Sequence, residues 1–247
     1  MSVLAEQFEH ALDTAPSAAP WPALEASGFL DALRAEEDGG AALALEDFFP
    51  FALAVGRRPQ APNVIETMLA RLADPQALDI ADAEVALTAF GAGPARVLAA
   101  LGAAGQNAGA LEAVLAMTLD YAQVRRQFGR PIGKFQAVQH QIAVMAEETA
   151  AVRMTVQTAF AGAPLLASPQ AAAAAKIRAG QGAVVVSAAA HAVHGAIGMT
   201  EEYGLHHHVR RLRRWRLAHG SESAWARALG EWALTKREDF ATLARSL

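Results

Sequence analysis

The densest set of side chains suited to holding a charged ligand is the run Arg125-Arg126-Gln127-Phe128-Gly129-Arg130-Pro131-Ile132. A guanidinium offers a planar fork of N–H donors that matches phosphate oxygens, so arginines beside Gln127 and Phe128 suit a phosphorylated cofactor. The same arginines close a helical stretch, where cations complement the negative end of the helix dipole, and that role alone would account for them. A second basic block, Arg210, Arg211, Arg213, Arg214 and Arg216, is interrupted by Leu212 and Trp215. It reads as salt bridges across a subunit interface or as attraction for cofactor phosphates. Nucleic acid is not expected as a partner, because the formal net charge is −4. His206-His207-His208 has the residue type of a metal site without its spacing: successive helical residues diverge, and two ligands on one face need positions three or four apart. No metal site is expected, and the absence of cysteine excludes disulfides and thiolate ligands.

The elements that must position these residues are helical. Of the 247 residues, 53% are hydrophobic, and alanine, which loses no side-chain entropy in a helix, dominates that share. Up to about Arg71, the breakers Pro20, Pro22, Gly39-Gly40, Pro50, Pro59 and Pro62 divide the chain into short helices such as Trp21 to Leu33 and Leu43 to Val55. A linker-like stretch through Pro75, Asp79 and Asp82 leads to Gly91, Gly93 and Pro94. A long Ala/Leu-rich helix then runs from Ala95 to about Gln127, ended by Gly129, Arg130 and Pro131. Phe135, Val138, Ile142, Met145, Thr149, Val152, Val156 and Phe160 recur at helical spacing and define a second long helix, stopped by Gly162 and Pro164. Ser168-Pro169 supplies an N-cap and a first-turn proline for a third, reaching about His194. Two shorter helices finish the pattern, Glu201 to Ala218 and Glu222 to Arg237. The β-branched cluster Val184-Val185-Val186 falls inside a helical period. The expected fold is all-α: a short N-terminal helical region, residues 1–82, and an antiparallel bundle, residues 83–247. The apolar window Gly182 to Ala192 is read as too short for a bilayer, and the opening, Met1-Ser2-Val3 soon followed by Glu6 and Glu9, lacks the basic and apolar regions of a signal peptide. A cytoplasmic protein with no membrane partner is expected.

Asp120-Tyr121-Ala122, the run Arg125 to Ile132, and Phe135-Gln136-Ala137-Val138-Gln139 closely resemble the signature of the acyl-CoA dehydrogenase C-terminal domain. A second match lies in His194-Gly195-Ala196-Ile197-Gly198-Met199-Thr200-Glu201-Glu202-Tyr203, with Arg210 and then Gly220-Ser221. Trp21, Leu24, Gly28, Glu36-Glu37-Asp38-Gly39-Gly40, Gly56-Arg57 and Glu66-Thr67 resemble the family's N-terminal helices. The resemblance implies an acyl-CoA dehydrogenase-like C-terminal four-helix bundle, and it implies FAD contact by Arg125, Gln127, Phe128, Phe135, Gln136, Gly195, Ala196 and Ser221, typically toward a flavin held by a neighbouring subunit. Ala192 stands where many members have Gln, and Ala196 replaces a second Gly.

Two family features are missing. Members carry a β-barrel between the N-terminal helices and the bundle, whereas here the first match ends near Leu69-Ala70 and the next helix begins near Ala95, leaving too few residues for a barrel. The family's reaction also needs a carboxylate base beside the substrate α-carbon. The usual position for that Glu is His219, before Gly220-Ser221, and the alternative position on the first long helix is Ala99, followed by Ala100. No catalytic residue is therefore assigned. The resemblance implies a subunit that shares FAD with a full-length partner in a hetero-oligomeric acyl-CoA dehydrogenase, desaturating an acyl-CoA such as a steroid side-chain thioester. The alternatives are a non-enzymatic homo-oligomer with a structural or regulatory role, and a self-sufficient enzyme using His219 or Glu222. The small residues Ala99, Ala100, Gly102, Ala103, Ala104 and Gly105 suit either a roomy pocket or close helix packing, and packing is the preferred reading.

Overall fold

A helix that is apolar on every side belongs at the centre of a protein, because it has no face to give to water. The chain builds its fold around such a helix. The computed structural model describes residues 3–74, 93–161, 167–236 and 241–242. Four helices come first, α1 (Val3–Thr14), α2 (Trp21–Ala26), α3 (Leu45–Arg57) and α4 (Val64–Ala73). The long helices α5 (Pro94–Val124), α6 (Gln136–Phe160) and α7 (Pro169–His194) follow, then α8 (Leu205–Leu217) and α9 (Glu222–Lys236). Every residue of α5 from Leu98 to Leu111 is buried. Among the described residues the strands are two short segments, Arg126–Gln127 and Arg130–Pro131, paired antiparallel. The all-α bundle is thus observed, with no barrel among the described residues.

The small residues of α5 serve close packing. A Cβ on Gly109 would lie 2.2 Å from the Leu53 carbonyl oxygen, and one on Gly56 would lie 2.1 Å from that of Gln106, so α3 and α5 cross backbone to backbone. Gly105 meets Ala52 and Phe160, and Gly102 meets Ile65 and Leu69. The N-terminal helices therefore share one continuous hydrophobic core with the bundle. The expected boundary between Asp82 and Ala83, and most of the linker-like stretch, lie outside the described residues, as do Gly162 and Pro164. Ion pairs reinforce the junction: Arg57 reaches Glu112 at 2.7 Å and Glu9 at 3.3 Å, and Arg153 also pairs with Glu112.

Several elements differ from expectation. α1 was not isolated by the proline and glycine pattern; it docks through Phe8, stacked on Phe51 at 4.1 Å. The helix expected from Trp21 to Leu33 stops at Ala26, where the Ser27 hydroxyl donates to Leu24 O at 2.6 Å and Gly28 takes φ 74°, before one 3-10 turn at Phe29–Asp31. The helix expected from Leu43 to Val55 is displaced by two residues to Leu45–Arg57, with Pro50 inside it as expected. The expected start at Glu201 moves to Leu205, after a turn. The Ser168 cap of α7 is present, its hydroxyl accepting from Ala171 N at 3.3 Å. The stretch Pro169–Met199 is also long and apolar enough to cross a membrane, with mean hydropathy 1.4 in its best window, correcting the narrower reading from Gly182 to Ala192; half of that window is buried in the protein.

Candidate functional site

The helix expected to run to Gln127 ends at Val124, because the chain turns there into a hairpin. Arg126 pairs with Pro131 and Gln127 with Arg130, and Ile132 N donates to Arg125 O at 2.8 Å. The two residues at the tip, Phe128 and Gly129, have φ of 50° and 79°, the pattern of a type I′ turn. Such a turn favours Asn or Gly at its first central position. Here it carries a phenylalanine whose surface is 90% exposed. An aromatic ring held in solvent at a left-handed φ contributes little to the fold, which favours a role in contact with something else.

Behind the hairpin, Ala122, Ile132 and Val193 form a buried cluster, with Tyr121, Phe135, Val138 and Ile142 against it. This cluster joins the end of α5, the start of α6 and the end of α7. Tyr121 adds a ring stacked on His194 at 4.5 Å and donates to His194 O at 3.4 Å. Arg125, Gln127, Phe128, Gln136, Gly195 and Ala196 are all exposed on the elements it fastens together, and Phe135 is half-buried between them. The Phe128 and Phe135 rings meet edge to face at 6.1 Å, and the Arg130 guanidinium lies 4.2 Å from the Phe135 ring centre. Gly195 has φ 65° and ψ −145°, a conformation close to one reserved for glycine, with open space where a Cβ would project. Ala196 lies outside the left-handed region, so its methyl is accommodated.

Ser221 is not part of this patch. It follows α8 in a turn that packs against Arg96, at the opposite end of α5. Arg96 and Arg125 are separated by most of that 31-residue helix, roughly 40 Å at the α-helical rise. The structure therefore brings together seven of the eight expected cofactor contacts and leaves Ser221 apart.

The usual base position, His219, lies against the start of α5 in a filled space. Arg96 Nε donates to His219 O at 3.0 Å, and its guanidinium lies 5.4 Å from the Trp225 ring centre. Trp225 packs on Ala100 and Ala173, and Ala99 is buried in the core. His219 is buried at φ 60°. Burial, with Lys176 and Arg96 nearby, pushes its pKa down to about 4, making it a poor base that is also shielded from substrate. Glu222 is held by Arg216. In this structure His219 is thus enclosed by packing and Glu222 is engaged by an arginine.

The basic block divides by direction. Arg211 is buried and donates to the carbonyls of Arg58, Pro59 and Ala61, the last at 2.7 Å, while its guanidinium covers Trp215 at 4.5 Å. Arg214 donates to Asn63 Oδ1. With Arg216 on Glu222, three of the five arginines hold the protein's own structure, which corrects their reading as interface or phosphate ligands; Arg210 and Arg213 remain exposed. The histidines divide likewise: His208 is buried, while the His206 and His207 rings pack together at the surface. Sequence reasoning passed over Lys176, Arg96 and Trp225. A lone lysine after the run Ala171 to Ala175 was the available signal.

Comparison with known proteins identifies the family. The family described as acyl-CoA dehydrogenase, C-terminal domain, matches residues 95–234, more than half of the chain. The acyl-CoA dehydrogenase IpdE2 of Mycobacterium tuberculosis is 38% identical over 123 residues, covering 50% of this chain and 36% of that protein. The structure of the ChsE4-ChsE5 complex from Mycobacterium tuberculosis is similar at TM-score 0.54 and 27% identity, over 66% of this chain and 44% of that one. The Tcur3481-Tcur3483 steroid ACAD structure shares the fold at TM-score 0.76 and 19% identity, over 94% of this chain and 97% of that one. The chain spans about a third of the length of the curated relatives it matches. From its bundle, its hairpin and these matches, the chain belongs to the acyl-CoA dehydrogenase family.

Proposed function

We propose that this chain is a subunit of a hetero-oligomeric acyl-CoA dehydrogenase that completes the FAD site of a full-length partner and supplies no catalytic base itself. Arg125 directs its fork at the cofactor pyrophosphate. Gln127 and Gln136 donate beside it, Phe128 and Phe135 cover an apolar part of the cofactor, and the bare backbone at Gly195 and Ala196 permits close approach. The partner provides the barrel, the base and the acyl-CoA pocket. Bound FAD supplies the hydride acceptor for α,β-desaturation of the thioester. A steroid side-chain or other bulky acyl-CoA is the substrate class this reading carries.

The observation that carries the proposal is the exposed hairpin, with Phe128 held in solvent at positive φ beside Arg125, in a chain whose own base positions are buried. The likeness to a structure described as a two-component complex supports it. The test is co-expression with a full-length acyl-CoA dehydrogenase encoded beside it, followed by native mass measurement and flavin absorbance. A heteromeric complex whose flavin content falls when Arg125→Ala is introduced is the expected result. Absence of both a complex and any change in flavin content refutes the proposal, and a colourless self-associated chain favours the homo-oligomeric alternative.

A further inference from the structure

At the end of α5 away from the hairpin, Lys176 of α7 is completely buried, at 0% exposure. Its Nζ donates to Trp215 O at 2.6 Å and to Arg216 O at 2.8 Å. These carbonyls belong to the last turn of α8, where a helix lacks partners of its own. Directly beyond them the backbone leaves the helix through His219 at φ 60° and Gly220 at φ 117° to reach Ser221. A left-handed histidine costs roughly 1 kcal/mol or more, so this turn depends on being held from outside.

We propose that Lys176 is a proton-operated latch on the turn from Leu217 to Ser221, gripping it when charged and loosening it when neutral. The charged and titratable groups that act on the ammonium are Glu222 on α9, Arg216 on α8 bound to that glutamate, and His219 in the turn, whose carbonyl accepts from Arg96 of α5. Burial pushes the Lys176 pKa down to about 7, against the attraction of Glu222 and with the repulsion of Arg216. A neutral amine keeps two N–H donors, enough for both carbonyls. It loses the charge assistance that roughly doubles such bonds, and the favourable interaction with the end of α8. Leu217 and Ser221 also line an open groove of about 550 Å³ with Val184, Val185 and Arg216, so the latch sets the shape of a surface. It operates within the chain itself, whether or not a flavin is completed at the hairpin.

Hydrogen exchange read by mass spectrometry on peptides spanning residues 212–221 tests the latch at about pH 6 and about pH 8, after correction for intrinsic exchange. In the unaltered chain, protection is expected to fall severalfold at the higher pH. Lys176→Arg keeps the donors and stays charged at both values, so its protection is expected to stay constant. If the larger side chain does not fit, Lys176→Met, which lacks the donors, is expected to show low protection at both. An unchanged turn in the unaltered chain overturns the proposal, as does an equal fall in Lys176→Arg or full protection in Lys176→Met.

Discussion

Replacing Phe128 by glycine separates what the hairpin does for the fold from what it offers to a partner. The left-handed conformation costs a residue with a Cβ roughly 1–2 kcal/mol relative to glycine. The ring returns little of this, being 90% exposed; its edge-to-face contact with Phe135 is worth about 0.5 kcal/mol. Phe128→Gly is therefore expected to stabilise the chain by about 0.5–1.5 kcal/mol. The same change is expected to lower the flavin content of the complex with a full-length partner. Urea unfolding followed by circular dichroism measures the first effect, as a higher midpoint at unchanged slope. Phe128→Ala, which lacks the ring but keeps the strain, is expected to be less stable than the glycine variant. A loss of 1 kcal/mol or more in Phe128→Gly would show that the ring packs in the fold. An unchanged flavin content would show that it does not face the cofactor.

Two other perturbations test the core and its titration. Gly109→Ala places a methyl 2.2 Å from a backbone oxygen of α3, which no side-chain rotation relieves; a loss of about 3 kcal/mol is expected in the same unfolding assay. His208 and His219, each pushed to about 4 by burial, are neutral in the fold while the unfolded chain takes up protons near 6.5. Their contribution is full above pH 6.5 and is lost as pH falls toward 4, about 3 kcal/mol for each. Unfolding at about pH 7 and about pH 4.5 should show the loss, and a His208→Gln/His219→Asn double variant that keeps the full pH dependence would count against this assignment.

Helix type and order were legible because they rest on local pattern: the spacing from Phe135 to Phe160 defines α6, and Ser168-Pro169 starts α7. What escaped depends on contacts distant in sequence. The arginines after Val124 have good helix propensity, yet α5 stops before them, because the cluster of Ala122, Ile132 and Val193 fixes the hairpin. Ser221 joined the other cofactor contacts through its role in a motif, and motif membership carries no distance. Arg211 was readable in part, since it shares a helical stripe with His208, Leu212 and Trp215, and that stripe faces the core.

The two ends of α5 differ in a way that bears on how the chain works. At one end, Arg125, Arg126 and Arg130 form no salt bridge with an acidic side chain among the described residues, and an aromatic ring is held outward at a cost to the backbone. At the other, His219, Arg96, Trp225 and Lys176 occupy one another, and the positions where relatives place a base are closed by packing. A chain with nothing to bind at this hairpin would gain little from a strained, exposed phenylalanine, because glycine at that position would relieve the strain. Its place beside these arginines is better explained by a ligand that meets the hairpin from another subunit, while Arg96, Ala100 and Trp225 anchor the other end of α5.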